Sequence, residues 1–174
     1  MNIDEELQQL SIRLRLNEMS IEYGRDLGTV SNVVEAFKQL SSVHEGMYHV
    51  NQILHVDKEV TQDEINKGLF EPIQKGVSVS RCYPIIIVWG EKDIIKGNKR
   101  LEGHGVSHII QGHPKEIKDV ISKLNSSLQR EIPARPDKYG NYTIRVNQYR
   151  FVFTLKEKDN GTPDHAVLIT AYKR

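Results

Sequence analysis

The sequence of 174 residues contains only one cysteine, Cys82. One cysteine cannot form an intramolecular disulfide or a cysteine-based zinc cluster, so folding does not depend on an oxidising compartment. Cys82 precedes Tyr83, Pro84 and an apolar run. This context predicts that the thiol packs against its neighbours and does not act as a nucleophile.

Long apolar runs are also missing. No stretch approaches the ~18 consecutive apolar residues that a membrane-spanning helix needs. The first ten residues are acidic, whereas a signal peptide starts basic and then turns apolar. We therefore expect no membrane association, no signal peptide and a cytoplasmic site of action.

Neither sign of charge is in large excess, because the formal net charge is only +1. The charges are nevertheless unevenly distributed, with a balance of −4 over residues 1–99 and of +5 over residues 100–174. A basic C-terminal part is compatible with a polyanionic partner. With 38% hydrophobic and 27% charged residues, the chain can form one substantial core.

The N-terminal part has mainly helical spacing. Apolar residues between positions 3 and 22 recur mostly at intervals of three to four, which favours an amphipathic helix. Thr29 is a predicted N-cap for a helix over Val30–Leu40. A third helix is predicted at about Met47–Val56.

Thr61 and Glu64 have the spacing of a capping box for a short helix that ends near Gly68. Together, these patterns predict a helical N-terminal region over residues 1–75, of unknown role.

The second part of the sequence has mainly the patterns of β-strands. Residues 83–89 form a β-branched and aromatic run that predicts a buried strand. Pro114 precedes an amphipathic helix, and residues 141–155 then alternate between apolar and polar, with a break at Asn147 and Gln148. A turn at residues 159–161 leads to a last strand over His165–Lys173. We therefore predict an α+β fold, with a small helix-plus-antiparallel-sheet domain over residues 76–174.

Three histidines, His104, His108 and His113, fall within ten residues. His104 and His108 are four apart, the spacing of a two-histidine metal site on a helix. Glycines flank His104, however, and Glu102 is the only nearby acidic residue that could be a third ligand. We therefore predict no metal site. His108 and His113 can meet only if the helix ends at Gly112.

Four segments carry a resemblance to a known family: GHGVSHIIQGHP, the basic amphipathic helix after it, NQYRFVF and the terminal VLITAYKR. As a set, they resemble the phage- and toxin-associated nuclease domains grouped with barnase, EndoU, colicin and RelE ribonucleases (BECR). The resemblance covers about residues 85–174 and does not extend to residues 1–75. It implies a BECR-like fold, RNA (including tRNA) as substrate, no cofactor, and an immunity or antitoxin protein as partner. Such domains are phage-encoded or delivered as parts of toxins.

The chemistry of a metal-independent ribonuclease suits the residues present. Histidine can take and give protons near neutrality, and arginine can hold the negative charge of the transition state. The predicted catalytic residues are His108, His113, Arg150, Thr170 and Tyr172. The predicted substrate-binding residues are His104, Arg145, Tyr149, Lys115 and Lys173, with Tyr142 as an alternative to Tyr149 for stacking on a base.

Strand alternation predicts which of these side chains share a face. Thr170 and Tyr172 lie on one face, which Leu168 extends, and Ile169 and Ala171 on the other. Arg150 is predicted to project into a cleft. The sequence thus predicts an endoribonuclease acting on tRNA or other structured RNA. The alternative is a non-catalytic phage structural or interaction module with the same fold.

Overall fold

The computed structural model describes residues 2–7, 19, 22–66, 68, 76–112, 114–158 and 162–174. The described strands are β1 (Asp26–Val30), β2 (Met47–Glu59), β3 (Ser78–Val88), β4 (Ile94–Lys96), β5 (Lys99–Leu101), β6 (Arg135–Pro136), β7 (Tyr142–Val146), β8 (Tyr149–Glu157) and β9 (Pro163–Lys173). The helices are α1 (Val33–Val43), α2 (Gln62–Asn66), α3 (Gly105–Gly112) and α4 (Ile117–Gln129).

Seven strands form one mixed sheet in the order β1-β2-β3-β9-β8-β7-β6, and β4 and β5 form a separate hairpin. The β1–β2 and β3–β9 pairs are parallel, and the other neighbours in the sheet are antiparallel. Strand β3 pairs with β9 only at Ile85 and Ile86. Helix α3 also packs against β9.

The core lies on both faces of the sheet. On one face, α1, α3 and α4 pack over apolar side chains that include Phe37, Leu124, Phe151 and Phe153. Adjacent residues of a strand point to opposite faces. Ile86 and Val88 of β3 accordingly belong to a second cluster, with Met19 and Met47.

The predicted fold class is wrong. The chain has a mixed α/β architecture with a large seven-stranded sheet, and it is not a helical N-terminal region followed by a small domain. Strands β1 and β2 precede the predicted boundary at residues 75 and 76, yet they pair in the same sheet as β3 and β9.

The predicted helix over Met47–Val56 is strand β2. Its buried apolar residues are Met47, Val50, Leu54 and Val56, at spacings of three, four and two. The register against β3 shifts between Val50 and Ile53. An irregularity of this kind breaks strict alternation, and the burial pattern therefore imitates a helical period.

Two predictions about caps have different outcomes. Thr29 lies in β1, and the N-cap of α1 is Asn32, whose side chain accepts a hydrogen bond from Glu35 N at 3.0 Å. The Thr61–Glu64 capping box is confirmed, because each side chain accepts a hydrogen bond from the other residue's backbone N–H. The carboxylate of Glu64 also pairs with buried Arg81.

Other predictions are also settled in part. Cys82 is exposed beside His55, against the predicted packing role, because the second cluster covers its face of β3 only at Ile86 and Val88. The predicted long N-terminal helix falls mainly on residues 8–18, 20 and 21, which lie outside the described residues. Of its described part, residues 3–7, 19 and 22–23 are helical. Within the described chain, no helix is both long and apolar enough to cross a membrane.

Candidate active site

A cleft of about 1170 Å³ opens where α3, the hairpin β4–β5 and strands β7, β8 and β9 meet. His108, Ile109 and Gly112 of α3 form one wall, together with Arg100 and Glu102. Another wall is formed by Pro136 of β6 and the segment between β6 and β7. That segment contributes Asp137, Lys138, Tyr139 and Asn141.

Two cross-strand rows form the floor. Arg145, Arg150 and Tyr172 are direct neighbours across β7, β8 and β9. Thr143, Val152 and Thr170 form the next row. Directly opposite residues of a sheet have Cβ atoms about 5 Å apart, so the register alone gathers two guanidinium groups and several hydroxyl groups on one surface.

The predicted row of Leu168, Thr170 and Tyr172 is wrong at Leu168. The register shifts in the β8–β9 pair, because Val152 is opposite Thr170 whereas Phe153 is opposite Leu168. The extra residue, Ile169, turns Leu168 to the core face, where it is 1% exposed. Ile169 lines the cleft, also against the prediction.

His108 is held between two partners. Its Nδ1 lies 2.7 Å from Asp93 Oδ1, and its Nε2 lies 3.1 Å from Thr170 Oγ1. Since the carboxylate can only accept, Nδ1 carries the proton. In the neutral ring, Nε2 is then an acceptor directed at the Thr170 hydroxyl and the cleft.

Asp93 is fixed in its charged form. The backbone N–H of Gly103 donates to Oδ1 at 2.6 Å, and Arg100 donates through Nε to Oδ2 at 3.0 Å. The bond from Gly103, the Arg100 guanidinium and His108 hold the pKa of Asp93 well below its ordinary value of 3.8. The side chains of Asp93 and His108 are 9% and 17% exposed, so the carboxylate is enclosed and the ring reaches the cleft.

The Gly-His-Gly segment is explained by the path of the backbone here. A Cβ on Gly103 would lie 1.9 Å from Glu91 O, so only glycine fits beside the backbone of Glu91. Gly105 begins α3 with φ +80°. His104 pairs with Glu91 through two backbone hydrogen bonds of 2.9 Å, which close the loop that carries Asp93.

Positive charge dominates the cleft. Its lining includes the cations Arg100, Lys138, Arg145, Arg150 and Arg174, against the carboxylates Glu102 and Asp137. Like charges directly opposite each other on a sheet are destabilising. An anion between Arg145 and Arg150 would remove this repulsion, and the arginine fork matches phosphate oxygens.

Arg150 is positioned by the turn before it. Its Nη1 donates to the carbonyl oxygens of Asn147 and Tyr149, at 2.9 and 2.8 Å. Asn147 has φ +53°, as expected in a two-residue turn between paired strands. The Nε and Nη2 donors of Arg150 are therefore the ones that can serve a ligand.

The structure brings together several of the predicted residues. The cleft is lined by His108, Arg145, Arg150, Thr170 and Tyr172. His113 lies outside the described residues. The described residues that line the cleft do not include four of the predicted binding residues: His104, Lys115, Tyr149 and Lys173.

Tyr149 and Lys173 are on the other face of the sheet. Tyr149 is stacked with the core residue Phe151, and Lys173 Nζ lies 5.7 Å from the centre of the Tyr149 ring. Tyr142 is half-buried, and burial raises the pKa of its hydroxyl. Lys115 is exposed in the turn before α4.

Sequence reasoning missed Asp93, Arg100, Lys138, Tyr139 and Arg174. Asp93 was not found because it is 15 residues from His108. The Gly97-Asn98 pair between Ile94–Lys96 and Lys99–Leu101 is a hairpin signal, and it could have indicated that the chain returns toward Asp93.

Within the described part of the chain, no group of three His, Cys, Asp or Glu side chains is arranged to hold a metal ion. Comparisons with protein-family models, curated proteins and solved structures gave no match to this chain.

Proposed function

We propose that the protein is a metal-independent endoribonuclease that uses His108 as the general base. The single observation that carries this proposal is the chain of contacts from Asp93 through His108 to Thr170 at the edge of a cleft rich in arginine. Cleavage of a phosphodiester by transfer to the 2′-oxygen needs a general base that accepts a proton and cations that stabilise the negative charge of the transition state. His108, with its fixed tautomer, and the arginines of the cleft can supply both.

The reaction would proceed as follows. His108 Nε2 takes the proton of a ribose 2′-hydroxyl, and the 2′-oxygen forms a bond to phosphorus. The bond from phosphorus to the 5′-oxygen breaks, and this oxygen takes a proton from water or from the Tyr172 hydroxyl. The products are a 2′,3′-cyclic phosphate and a 5′-hydroxyl end, and DNA is not cleaved because it has no 2′-hydroxyl.

The other residues would support this step. Arg145 and Arg150 offer donors for the negative charge that develops on the non-bridging oxygens. Asp93 acts as a positioning residue, since it holds the ring through Nδ1 and stabilises the imidazolium that forms. Thr170 occupies Nε2 until the 2′-hydroxyl replaces it as the hydrogen-bond donor.

The test is incubation of the purified chain with total RNA in EDTA, followed by mapping of new ends and detection of 2′,3′-cyclic phosphates. We expect His108→Ala to reduce cleavage about 100-fold to 10,000-fold, the usual share of a general base. Asp93→Asn should reduce it about tenfold or more, because the amide can donate to Nδ1 and thereby favour the wrong tautomer of His108. The free energy of unfolding should fall by roughly 1 to 2 kcal/mol in His108→Ala, through the lost hydrogen bonds.

His55→Ala is the matched control, because His55 lies on β2 outside the cleft. It should cleave RNA as the wild type does. If wild type and His108→Ala leave RNA equally intact, the alternative of a non-catalytic interaction module takes the place of this proposal.

A further inference from the structure

Tyr139 is an unusually exposed aromatic residue at the rim of the cleft. Its side chain lies between β6 and β7 with 76% of its surface accessible. A flat ligand could therefore cover the Tyr139 ring without displacing contacts that the ring makes within the protein. The sequence analysis assigned base stacking to Tyr142 or Tyr149, and neither offers an open ring on this face.

The segment that carries Tyr139 is held in one conformation. Asp137 Oδ1 accepts hydrogen bonds from the backbone N–H groups of Tyr139 and Asn141, at 2.8 and 2.9 Å. The backbone of Asp137 donates to Asn141 O at 2.8 Å. A backbone that is ordered before binding loses little conformational entropy when a ligand covers the side chain it carries.

A cation lies on one side of the ring. Lys138 Nζ is 5.1 Å from the ring centre, which is within the range of a cation–π contact. The high exposure of Tyr139 leaves the opposite face for a ligand. The cations Arg145 and Arg150 line the same cleft as Tyr139.

We infer that the cleft recognises an unpaired nucleotide of a single-stranded RNA segment, with the base stacked on Tyr139 and the adjoining phosphate at Arg145 and Arg150. The inference rests on the proposed function for the choice of RNA. A stacking ring requires a base whose face is open, and a base inside a duplex is covered on both faces. The cut site therefore lies in a loop or an unpaired end of a folded RNA.

The binding experiment uses a fluorescein-labelled 2′-O-methyl oligoribonucleotide of about ten nucleotides, which lacks the free 2′-hydroxyl needed for cleavage. Its affinity is measured by anisotropy, as a single strand and annealed to its complement. We expect the single strand to bind more tightly than the duplex, and Tyr139→Ala to weaken single-strand binding about tenfold. Tyr139→Phe, which keeps the ring, should stay within about twofold of the wild type.

A spectroscopic readout separates stacking from a structural effect. A 2-aminopurine placed in the oligonucleotide should lose fluorescence on binding to wild type and Tyr139→Phe, but not to Tyr139→Ala. Circular dichroism and melting should be the same for the three proteins, because the side chain is exposed. Equal binding by Tyr139→Ala and wild type, or equal binding of single strand and duplex, would overturn the inference.

The outcomes distinguish this inference from the proposed function. Ring-dependent binding without any cleavage of natural RNA would retain the stacking site and remove the ribonuclease. Cleavage that depends on His108, together with binding that does not depend on Tyr139, would do the reverse.

Discussion

At the scale of single residues, the site depends on a charged group that is enclosed. Asp93 accepts hydrogen bonds from Gly103, Arg100 and His108, and its side chain is 9% exposed. An enclosed carboxylate is tolerated only when its oxygens are paired in this way. The position of one histidine ring is therefore coupled to the stability of the folded state.

We predict an acid-sensitive contribution to stability from Asp93. Its pKa is lowered in the folded protein from 3.8 by the Gly103 N–H, Arg100 and His108. The unfolded state thus binds the proton first as the pH falls, so the contribution is present above 3.8 and is lost as the pH falls through the folded value. Urea unfolding between about pH 5 and pH 2 should show a weaker dependence of the free energy of unfolding on pH in Asp93→Asn than in wild type.

Asp4→Asn serves as the control, because Asp4 is exposed near the N-terminus. This variant should follow the wild-type curve. Parallel curves for wild type and Asp93→Asn would show that the Asp93 contacts do not persist in solution.

At the scale of elements, the start of α3 decides where His108 lies. Gly105 has φ +80°, and a Cβ there would be 2.7 Å from Val88 O and 2.9 Å from Trp89 O. The close packing of this backbone against the end of β3 sets the distance from α3 to β9, and hence from His108 to Thr170.

We predict that Gly105→Ala destabilises the protein by about 2 kcal/mol or more, because alanine meets both strain at positive φ and contact with two carbonyl oxygens. Gly112→Ala is the matched control in the same helix, since a Cβ there meets nothing within 4 Å. It should change stability by less than about 1 kcal/mol. Thermal unfolding measures both, and equal melting temperatures would contradict the assigned role of Gly105.

Two register shifts explain where prediction of elements failed. In β2 the irregularity between Val50 and Ile53 made a strand resemble a helix, and in β9 the shift at Ile169 moved Leu168 to the core. The β2 shift lies opposite Pro84 of β3, and proline inside a sheet is a signal of an edge or a bulge. The β9 shift has no glycine or proline beside it, so no local signal marks it. The regular strands β7 and β8 and the helix α4, whose patterns are uninterrupted, are confirmed.

At the scale of the whole molecule, the sheet joins the N-terminal and C-terminal parts. Strand β3 lies between β2 and β9, and its side chains enter the core on both faces. If either the N-terminal or the C-terminal part of the chain unfolded alone, the part that remained folded would expose apolar surface.

We therefore predict a single cooperative unfolding transition. Far-ultraviolet circular dichroism reports the whole sheet, and fluorescence reports Trp89, the single tryptophan, just after β3. The two urea curves should coincide. Two separated transitions would instead favour the division into units at residues 75 and 76.

The sequence alone predicts the late strands, the helix before them, the capping box and the residue types that line the cleft. These depend on local periodicity and local hydrogen bonds. It also indicated that positive charge concentrates after residue 100, and all five cleft cations come from that part. His108, Arg150 and Thr170, which line the cleft, could be selected as candidates because their chemistry can be recognised without knowing their neighbours.

Long-range packing, in contrast, sets the sheet order, the contact between Asp93 and His108, and the exposure of the Tyr139 ring. Asp93 meets His108 because a hairpin turns the chain back, and Tyr139 reaches the cleft because β6 pairs beside β7. Contacts between segments distant in sequence depend on how strands pair and shift register, and the free energy that selects one pairing is shared over the whole sheet. A local sequence pattern therefore cannot predict which strands pair.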